Sequence, residues 1–473
     1  MNNERIIERF MKYCDNHMWM SELHVRILEN YLASGNVVQE EELEETIEKH
    51  VNDTYKRWFL RTMGKKEVVT HYYRFNELFF PVGKECNVEI IGKYNYLRLA
   101  GSFKVVVMPY YDYERHCFEH YTPYISFVEA KDQKVSFSYT FDHEDCYNIY
   151  LFYVEDENEH LLFANKVYAL DDDLYGLNYY KADFHMHTHF SDGIESPALV
   201  AASSRENGMD IIAVTDHNVY EGSVVAREKV EKMGLDMTVI SGVEFSLAYS
   251  PMHILALGME EDINRKYLSY ELIKTDRAKQ LLNETNDINC DKTLFVCTQL
   301  LLEEVRRLGG ISVLAHPYWK PIYENGSRLD TPESVFVELS KHKRFDGIEL
   351  VSGSKLGECN VSNLQTAFAQ QVLTDNLDIP IIGITDSHAY SIDPICGTHY
   401  TVVFSKSRES KDVLEALRNG NCVAVEMING VPICYGKHRY MKFVNFLISC
   451  YFPDRDKKAM AEAVLAKEKF ICT

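Results

Sequence analysis

Several features that assign proteins to broad classes are missing from this sequence of 473 residues. No apolar run approaches the roughly 18 residues of a membrane-spanning helix, so we expect no membrane partner. The polar start, Met1-Asn2-Asn3-Glu4-Arg5, shows no secretory signal. The twelve cysteines are scattered without a CxxC pair, which indicates reduced thiols and not a disulfide framework. Together these absences predict a cytoplasmic protein.

Positive charge is also scarce, because 50 lysines and arginines face 71 aspartates and glutamates, for a net charge of -21. A strongly acidic chain repels polyanions, so we expect no binding to duplex nucleic acid. A small phosphoester or a nucleotide is a compatible partner, because bound divalent cations reverse the local potential.

Four common catalytic signatures are absent as well. The sequence contains no GxSxG elbow, no GxxxxGK[ST] loop, no GxGxxG after a strand and no HExxH helix. These absences disfavour serine hydrolases of the elbow type, P-loop enzymes, dinucleotide-binding domains and metalloproteases of the helical-motif type.

The sequence pattern divides the chain into four parts. Residues 1–64 have apolar side chains at helical spacing, and residues 65–178 contain short β-branched and aromatic runs, beginning at Val68-Val69, that predict an antiparallel β-sandwich-like domain. Residues 179–436 alternate apolar strands with capped helices, and residues 437–473 form a helical tail broken at Pro453. The fold class is therefore α/β, with a parallel sheet that is either open or closed into a barrel.

Side chains of the kind that bind metals lie at the ends of the apolar strands in the alternating region. The carboxyl ends of parallel strands meet at one rim, so we expect these side chains to converge. Imidazole and carboxylate are ligands of Zn, Mn and Fe, and nine candidates are more than one ion needs. The nine candidate ligands are His185, His187, Asp192, His217, Glu244, His253, His316, Asp386 and His388.

The spacing of individual ligands suggests their roles. His185 and His187 lie two apart on a strand and share one face, so both can bind the same ion. The two oxygens of Glu244 suit it to bridge two ions. Asp216, next to His217, is a candidate to orient a liganding histidine through the second ring nitrogen.

At these motifs the chain resembles the PHP (polymerase and histidinol phosphatase) superfamily of metal-dependent phosphoesterases. The resemblance rests on HxH with a following SDG, on TDH, on Glu after Gly-Val, on AHP and on DSH, and it covers roughly residues 181–430. The β-region before the barrel also resembles the CehA/McbA-like multidomain metallohydrolases. The family's fold implies a distorted (β/α)7 barrel with the metal site at its carboxyl rim.

The resemblance further implies a site for two or three divalent ions, Mn, Fe or Zn, with enough ligands for a trinuclear metal centre. The first ion would be held by His185, His187, Glu244 and Asp386; the second by Glu244, His253 and His316; and the third by Asp192, His217 and His388. We assign the catalytic roles to Glu244, Asp386 and His217.

The predicted function is hydrolysis of a small phosphomonoester, a nucleotide or a short oligonucleotide, by attack of a hydroxide that bridges the metals. Lys320 and Lys355 follow strands and are candidate phosphate contacts, although a solvated surface position explains each more simply. Hydrolysis of an amide, ester or carbamate at the same site is the first alternative. A protein that binds a ligand without turnover is the second. No oligomeric state is predicted.

Overall fold

The computed structural model describes residues 73–92, 99–109, 124–155, 158–246, 252–263, 267, 269–285, 287–319, 333–341, 345–352, 361–374 and 379–471. The predicted helical segment 1–64 lies outside these residues, and so do Val68-Val69, Lys320 and Lys355. The chain divides into two compact units, Met1–Tyr175 and Gly176–Thr473.

The first unit contains eight described strands in two sheets. The three-stranded sheet has the order β1-β3-β6, and the five-stranded sheet has the order β2-β8-β7-β4-β5. Neighbouring strands are antiparallel except for the parallel pair β2 and β8. The strands are β1 (Tyr73–Phe75), β2 (Phe79–Pro81), β3 (Glu85–Gly92), β4 (Ser102–Pro109), β5 (Tyr124–Glu129), β6 (Lys134–Thr140), β7 (Asp145–Glu155) and β8 (Asn158–Leu170).

Alternation of side chains explains how these two sheets form one core. In β4, every second residue is buried, as expected of a strand with one face turned away from water. Val105 and Val107 of this strand belong to one apolar cluster with Val88 and Ile90 of the other sheet. The two sheets therefore bury a common interior, and the short helix Asp172–Tyr175 follows them.

The second unit is built on a mixed ten-stranded sheet with the order β15-β14-β13-β12-β11-β10-β9-β16-β17-β18. The pairs β9–β10, β10–β11, β13–β14 and β14–β15 are parallel, whereas β12 is antiparallel to both of its neighbours. The strands are β9 (Asn178–Asp183), β10 (Ile211–Val214), β11 (Thr238–Ser246), β12 (His253–Leu257), β13 (Ile311–Ala315), β14 (Gly347–Ser352), β15 (Ile381–Ile384), β16 (His399–Ser405), β17 (Cys422–Ile428) and β18 (Val431–Tyr435).

This sheet curls so that β15, at one end of it, comes close to β9, near its middle. β9 pairs with β16 over Asn178 to Ala182. The residues that follow β9 form backbone hydrogen bonds with the residues that follow β15. The amide of Asp386 donates to the carbonyl of His185 at 3.0 Å, and the amide of His187 donates to the carbonyl of Ser387 at 2.9 Å. The strands from β9 to β15 consequently surround a shared centre, with one strand reversed among parallel ones.

Helices follow most of these strands and pack against their outer faces. Ser196 caps the first by accepting from the amide of Leu199, and Gly234 ends the second with a left-handed φ of 67°. The helices are Pro197–Glu206, Glu221–Met233, Asp276–Glu284, Lys292–Arg307, Glu333–Lys341, Val361–Thr374, Ser410–Arg418, His438–Phe446 and Phe452–Ile471.

Apolar burial fixes which way the strand residues of this unit face. Val243, Phe245, Ile348 and Leu350 belong to one apolar cluster with the helix Lys292–Arg307. The residues between them in sequence, Glu244 and Glu349, must then point to the opposite side of the sheet. Within the described residues, no helix is both long and apolar enough to cross a bilayer.

Candidate metal centre

All nine candidate ligands lie in the described residues and meet at one rim of the curled sheet. His253 begins its strand, whereas Glu244 lies near the end of β11 and the other candidate ligands come after the strands that precede them. The reversal of β12 resolves this difference, since His253 pairs with Ser246 at the end of β11 and with Ala315 at the end of β13. Its imidazole therefore joins the same rim as the ligands that follow the parallel strands.

Glu244 is the centre of the cluster. Its side chain is fully buried, and imidazoles approach both of its oxygens. The contacts to Oε1 are His253 Nδ1 at 2.8 Å and His316 Nε2 at 3.0 Å, and those to Oε2 are His185 Nε2 at 3.0 Å, His187 Nε2 at 3.2 Å and His217 Nδ1 at 3.2 Å. A single carboxylate thus lies between five imidazoles.

The first group of ligand atoms fits a four-coordinate cation. His185, His187, Glu244 and Asp386 each direct one atom toward the others. The two Nε2 atoms lie 3.1 Å apart, and Asp386 Oδ1 is 3.2 Å and 3.1 Å from them. Ligands at about 2.0 Å from a tetrahedral ion are roughly 3.3 Å from one another, which is close to these separations.

The hydrogen bonds around this group leave lone pairs of ring nitrogens and carboxylate oxygens facing one another, and a cation between them would be stabilising. The Nδ1 of His185 lies 2.7 Å from the carboxylate of Glu349, so this nitrogen carries the proton and Nε2 presents a lone pair. Glu244 Oε2 is buried, and the ring nitrogens of His185, His187 and His217 lie 3.0–3.2 Å from it. A buried carboxylate oxygen facing unprotonated nitrogens is costly unless a metal ion or added protons supply positive charge.

The remaining ligands form two further groups around the first. His217, Glu244 and His253 converge, and His316 Nε2 lies 3.4 Å from His253 Nδ1. The other group consists of His187, Asp192, His217 and His388. In it, Asp192 Oδ2 lies 3.3 Å from His388 Nε2 and 3.7 Å from His217 Nε2. His217 therefore reaches both groups, which the assignment by resemblance does not include.

The charge balance supports a cation at the first group. Burial would lower the pKa of His185, but the carboxylates of Glu244, Asp386 and Glu349 raise it well above its ordinary value. Burial likewise opposes protonation of His187, yet hydrogen bonds with Asp386 and Glu244 raise its pKa to about 9. The metal-free cluster thus draws protons to the positions where a metal ion would supply the charge.

His217 behaves differently. Burial, together with the neighbouring imidazoles of His187 and His253, lowers the pKa of His217 to about 4, although Glu244 opposes this shift. A neutral imidazole is the form that binds a metal. At neutral pH, His217 is therefore ready to bind an ion without first losing a proton.

Exposure increases across the cluster and indicates from which side it is reached. The side chains of His185, His187 and Glu244 are 0% exposed, whereas those of His388 and Asp192 are 38% and 55% exposed. Asp386 and His217 are intermediate. An incoming molecule would meet the group of Asp192 and His388 first, with the group of His185 behind it.

The turn that carries Asp192 is held by buried contacts. A side chain at Gly193 would lie 2.6 Å from the backbone of His187, so only glycine fits after the aspartate. Asp216 accepts from the amide and the hydroxyl of Thr188 at 2.8 Å and 2.7 Å, and from Ser191 Oγ at 2.8 Å. Asp216 therefore supports this turn and, within the described part of the chain, contacts no histidine ring directly, but Ser191 Oγ, which donates to it, lies 3.4 Å from His187 Nδ1.

Two buried carboxylates that the sequence analysis did not single out support the ligands. Asp183 accepts from the hydroxyl of Thr385 at 2.6 Å and so ties β9 to the segment that carries Asp386. Glu349 of β14 contacts His185. The available signal was a charged residue inside an otherwise apolar strand, since Glu349 lies within Gly-Ile-Glu-Leu-Val-Ser. Such a residue is seldom buried without a specific partner.

Two of the ligands have unusual backbone conformations. His316 has φ 24° and Asp386 has φ 53°, values that non-glycine residues rarely adopt. Both residues lie where a strand ends and the chain turns at the rim. Strain of this kind persists only where surrounding contacts enforce it, and it concentrates at functional sites.

Comparison with known proteins places most of this cluster in a recognised domain. The PHP domain family matches residues 183–361. A 5'-3' exoribonuclease Rnm of Salmonella typhimurium is 34% identical over 95 residues, which are 20% of this chain and 31% of that protein. A phosphoribosyl 1,2-cyclic phosphate 1,2-diphosphodiesterase of Eggerthella lenta is 36% identical over 84 residues, which are 17% of this chain and 31% of that protein.

Both of these curated relatives are therefore matched over less than a third of their length. Among solved structures, a two-domain protein of Bacteroides vulgatus, described as containing a predicted PHP-like metal-dependent phosphoesterase, has a TM-score of 0.37 at 21% identity. That match covers 53% of this chain and 66% of the other. The family match includes the candidate ligands from His185 to His316, whereas Asp386 and His388 follow it in the chain. Residues 183–361 of this protein are a PHP domain.

Proposed function

We propose that this protein is a metal-dependent phosphoesterase whose active site is the cluster around Glu244. The substrate would be a small phosphomonoester, a nucleotide or the end of a short oligonucleotide. The observation that carries the proposal is the convergence of five imidazoles, each within 3.2 Å, on the two oxygens of one fully buried carboxylate. The matched PHP domain supports the same chemistry.

The groups of ligand atoms support two or three divalent ions, Mn, Fe or Zn, within a barrel of the (β/α)7 type. Bound close together, such ions lower the pKa of a water molecule and neutralise phosphoryl oxygens. Glu244 would hold two ions at once through its two oxygens. His185 and His187 would fix the innermost position, and Asp386 would complete it from the side that reaches solvent.

The outer residues would act on the incoming substrate. Asp192 and His388 are the more exposed ligands, so the phosphoryl group would reach them before it reaches the buried ligands. His217 lies between the outer and inner groups, with Nε2 toward Asp192 and Nδ1 toward Glu244. As a neutral imidazole, it would bind an ion through one nitrogen and contact the other group through the second.

Charge and relatedness favour a small phosphorylated substrate. The net charge of -21 disfavours a long polyanion, whereas metal ions offer positive charge at the site itself. The two curated relatives are named as an exoribonuclease and a cyclic phosphate diphosphodiesterase, and both names describe phosphoester cleavage. Hydrolysis in the cytoplasm of a phosphoester bond in a nucleotide or a similar metabolite is therefore our proposal.

The experiment is a panel of phosphate mono- and diesters, including nucleoside bisphosphates, run beside p-nitrophenyl acetate and carbamates on the metal-loaded protein. We expect turnover of at least one phosphoester and its loss by at least about 100-fold in His187→Ala. His438→Ala is the matched control, because His438 is an exposed histidine on the helix His438–Phe446, outside the ligand set, and should retain full activity.

Three results would contradict the proposal. Undiminished turnover by His187→Ala in the absence of metal would show that the cluster takes no part in the reaction. Hydrolysis of acetate or carbamate esters without any phosphoester turnover would favour the alternative hydrolase. Inert, metal-loaded protein that binds a nucleotide in calorimetry would favour a ligand-binding protein.

A further inference from the structure

Glu349 is a buried acid in a place where an apolar residue would be expected. It lies in the middle of β14, its side of the strand faces away from the helices, and it is 0% exposed. Its neighbours in sequence, Ile348 and Leu350, fill the apolar cluster on the other side. Burying a carboxylate costs several kcal/mol unless hydrogen bonds compensate, so this position is poorly explained by packing alone.

The two oxygens of Glu349 contact two different candidate ligands. Oε1 lies 2.7 Å from the Nδ1 of His185, and Oε2 accepts from the backbone amide of His316 at 2.6 Å. Both separations are short, as is typical of hydrogen bonds to an ionised carboxylate. One residue of β14 therefore joins a ligand after β9 to a ligand after β13.

Each contact has a distinct consequence for the ligand it holds. A proton kept on His185 Nδ1 leaves Nε2 with the lone pair that faces Glu244 and Asp386. The bond to the amide of His316 fixes a residue whose φ of 24° is otherwise unfavourable. It thereby keeps the ring of His316 3.0 Å from Glu244.

We propose that Glu349 is a positioning residue of the metal centre, which selects the tautomer of His185 and holds His316 in its strained conformation. This proposal rests on the proposed metal-dependent function and assigns Glu349 no contact with substrate. Acids that hydrogen-bond a metal-binding histidine raise the basicity of the ring and fix its direction, and their loss typically weakens metal binding about 10- to 100-fold.

The test is Glu349→Gln in the full chain, with metal affinity measured by titration of Zn²⁺ against a competing chelator. Glutamine keeps the shape but has one carbonyl oxygen and one amide NH2 group, so it can accept a hydrogen bond from His185 Nδ1–H or from the His316 amide, but not from both. We expect affinity to fall by about 10- to 100-fold. Glu338→Gln is the matched control, because Glu338 is also a buried glutamate but lies on the outer helix Glu333–Lys341. The metal affinity of the Glu338→Gln variant should equal that of the wild type.

A second measurement separates positioning from a general loss of stability. Long-range ¹H–¹⁵N spectra of the zinc-loaded protein, in which the liganding rings are neutral, report which nitrogen of each histidine carries the proton, and the His185 signals are assigned by their absence in His185→Gln. We expect the Nδ1–H form in the wild type, and in Glu349→Gln a fraction of the protein in which Nε2 of His185 carries the proton and binds no metal. Glu349→Asp keeps the charge but shortens the side chain, so we expect folded protein with weakened metal binding.

The outcomes distinguish this proposal from the proposed function. A wild-type protein that binds no metal would overturn the function, whatever the variants do. A wild type that binds metal, with unchanged affinity and tautomer in Glu349→Gln and Glu349→Asp, would overturn the role of Glu349 alone. If the Glu349 variants melt at a lower temperature but bind metal as tightly as the wild type, Glu349 only stabilises the fold, and its proposed positioning role is wrong.

Discussion

Glu244→Gln tests the arrangement of the centre most sharply, because Glu244 belongs to two groups of ligands. One group contains His185, His187 and Asp386, and the other contains His217 and His253. Glutamine preserves the size of the side chain but removes the negative charge and one of the two oxygens, so one group loses its ligand from Glu244 and the other keeps only an uncharged, weaker one. We expect the variant to lose two ions, whereas Asp192→Asn, which alters the outer group alone, should lose one.

The expected size of the effect follows from linkage between binding and stability. An ion present at 100 times its dissociation constant stabilises a folded protein by about 2.7 kcal/mol. If the variant binds about 100-fold more weakly, the same concentration equals its dissociation constant and contributes only about 0.4 kcal/mol. For a unit of this size, the melting temperature would rise on adding metal by roughly 5–10 °C in the wild type and by about 1 °C in the variant.

The assays are metal analysis by mass spectrometry after dialysis, and melting temperature with and without Mn²⁺. The far-ultraviolet circular dichroism of Glu244→Gln should match that of the wild type, which shows that the fold is retained. A variant that keeps the full complement of ions, or loses no more than Asp192→Asn, would refute the bridging role. Equal thermal stabilisation of the two proteins by Mn²⁺ would refute it independently.

Two further predictions concern residues outside the ligand set. Gly222→Ala would place a methyl group 1.9 Å from Asp216 Oδ2, and Asp216 is held by Thr188, so we expect a loss of about 1–3 kcal/mol in urea unfolding; unchanged stability would contradict this packing. In Glu426, the hydrogen bond from His399 lowers the pKa below its ordinary value of 4.5, so its contribution is complete above pH 4.5 and is lost as the pH falls through the folded-state pKa. We therefore expect Glu426→Gln to be less stable than the wild type by about 1 kcal/mol at pH 7, with the difference shrinking in acid; a difference that grows in acid would reverse the reasoning.

The pattern of the sequence was sufficient to predict much of the second unit. Buried parallel strands are continuous apolar runs, as in Ile211–Val214, and their helices carry local signals such as Ser196-Pro197 at a start and Gly234 at an end. Because strands of this type present their carboxyl ends at one rim, the convergence of most candidate ligands could be predicted from the strand boundaries, whereas His253, at the start of β12, does not fit this rule.

Other features depend on pairing that a single sequence does not encode locally. The apolar pattern of His253–Leu257 does not indicate in which direction the strand runs, so the reversal of β12 can be recognised only once its neighbouring strands are known. The sharing of His217 between two groups is a matter of distance between β10, β11 and the turn of Asp192. Glu349 escaped notice because its partners, His185 and His316, lie 164 and 33 positions away in sequence.

The positive φ angles of His316 and Asp386 have a consequence for protein engineering. These two side chains reach the centre because the main chain beneath them is bent into a conformation that side-chain substitution cannot supply. Transplanting the nine residues onto the strands of an unrelated barrel would therefore leave two ligands misdirected. A designer would have to transfer the turns after β13 and β15 as well, together with the buried acids that hold them in place.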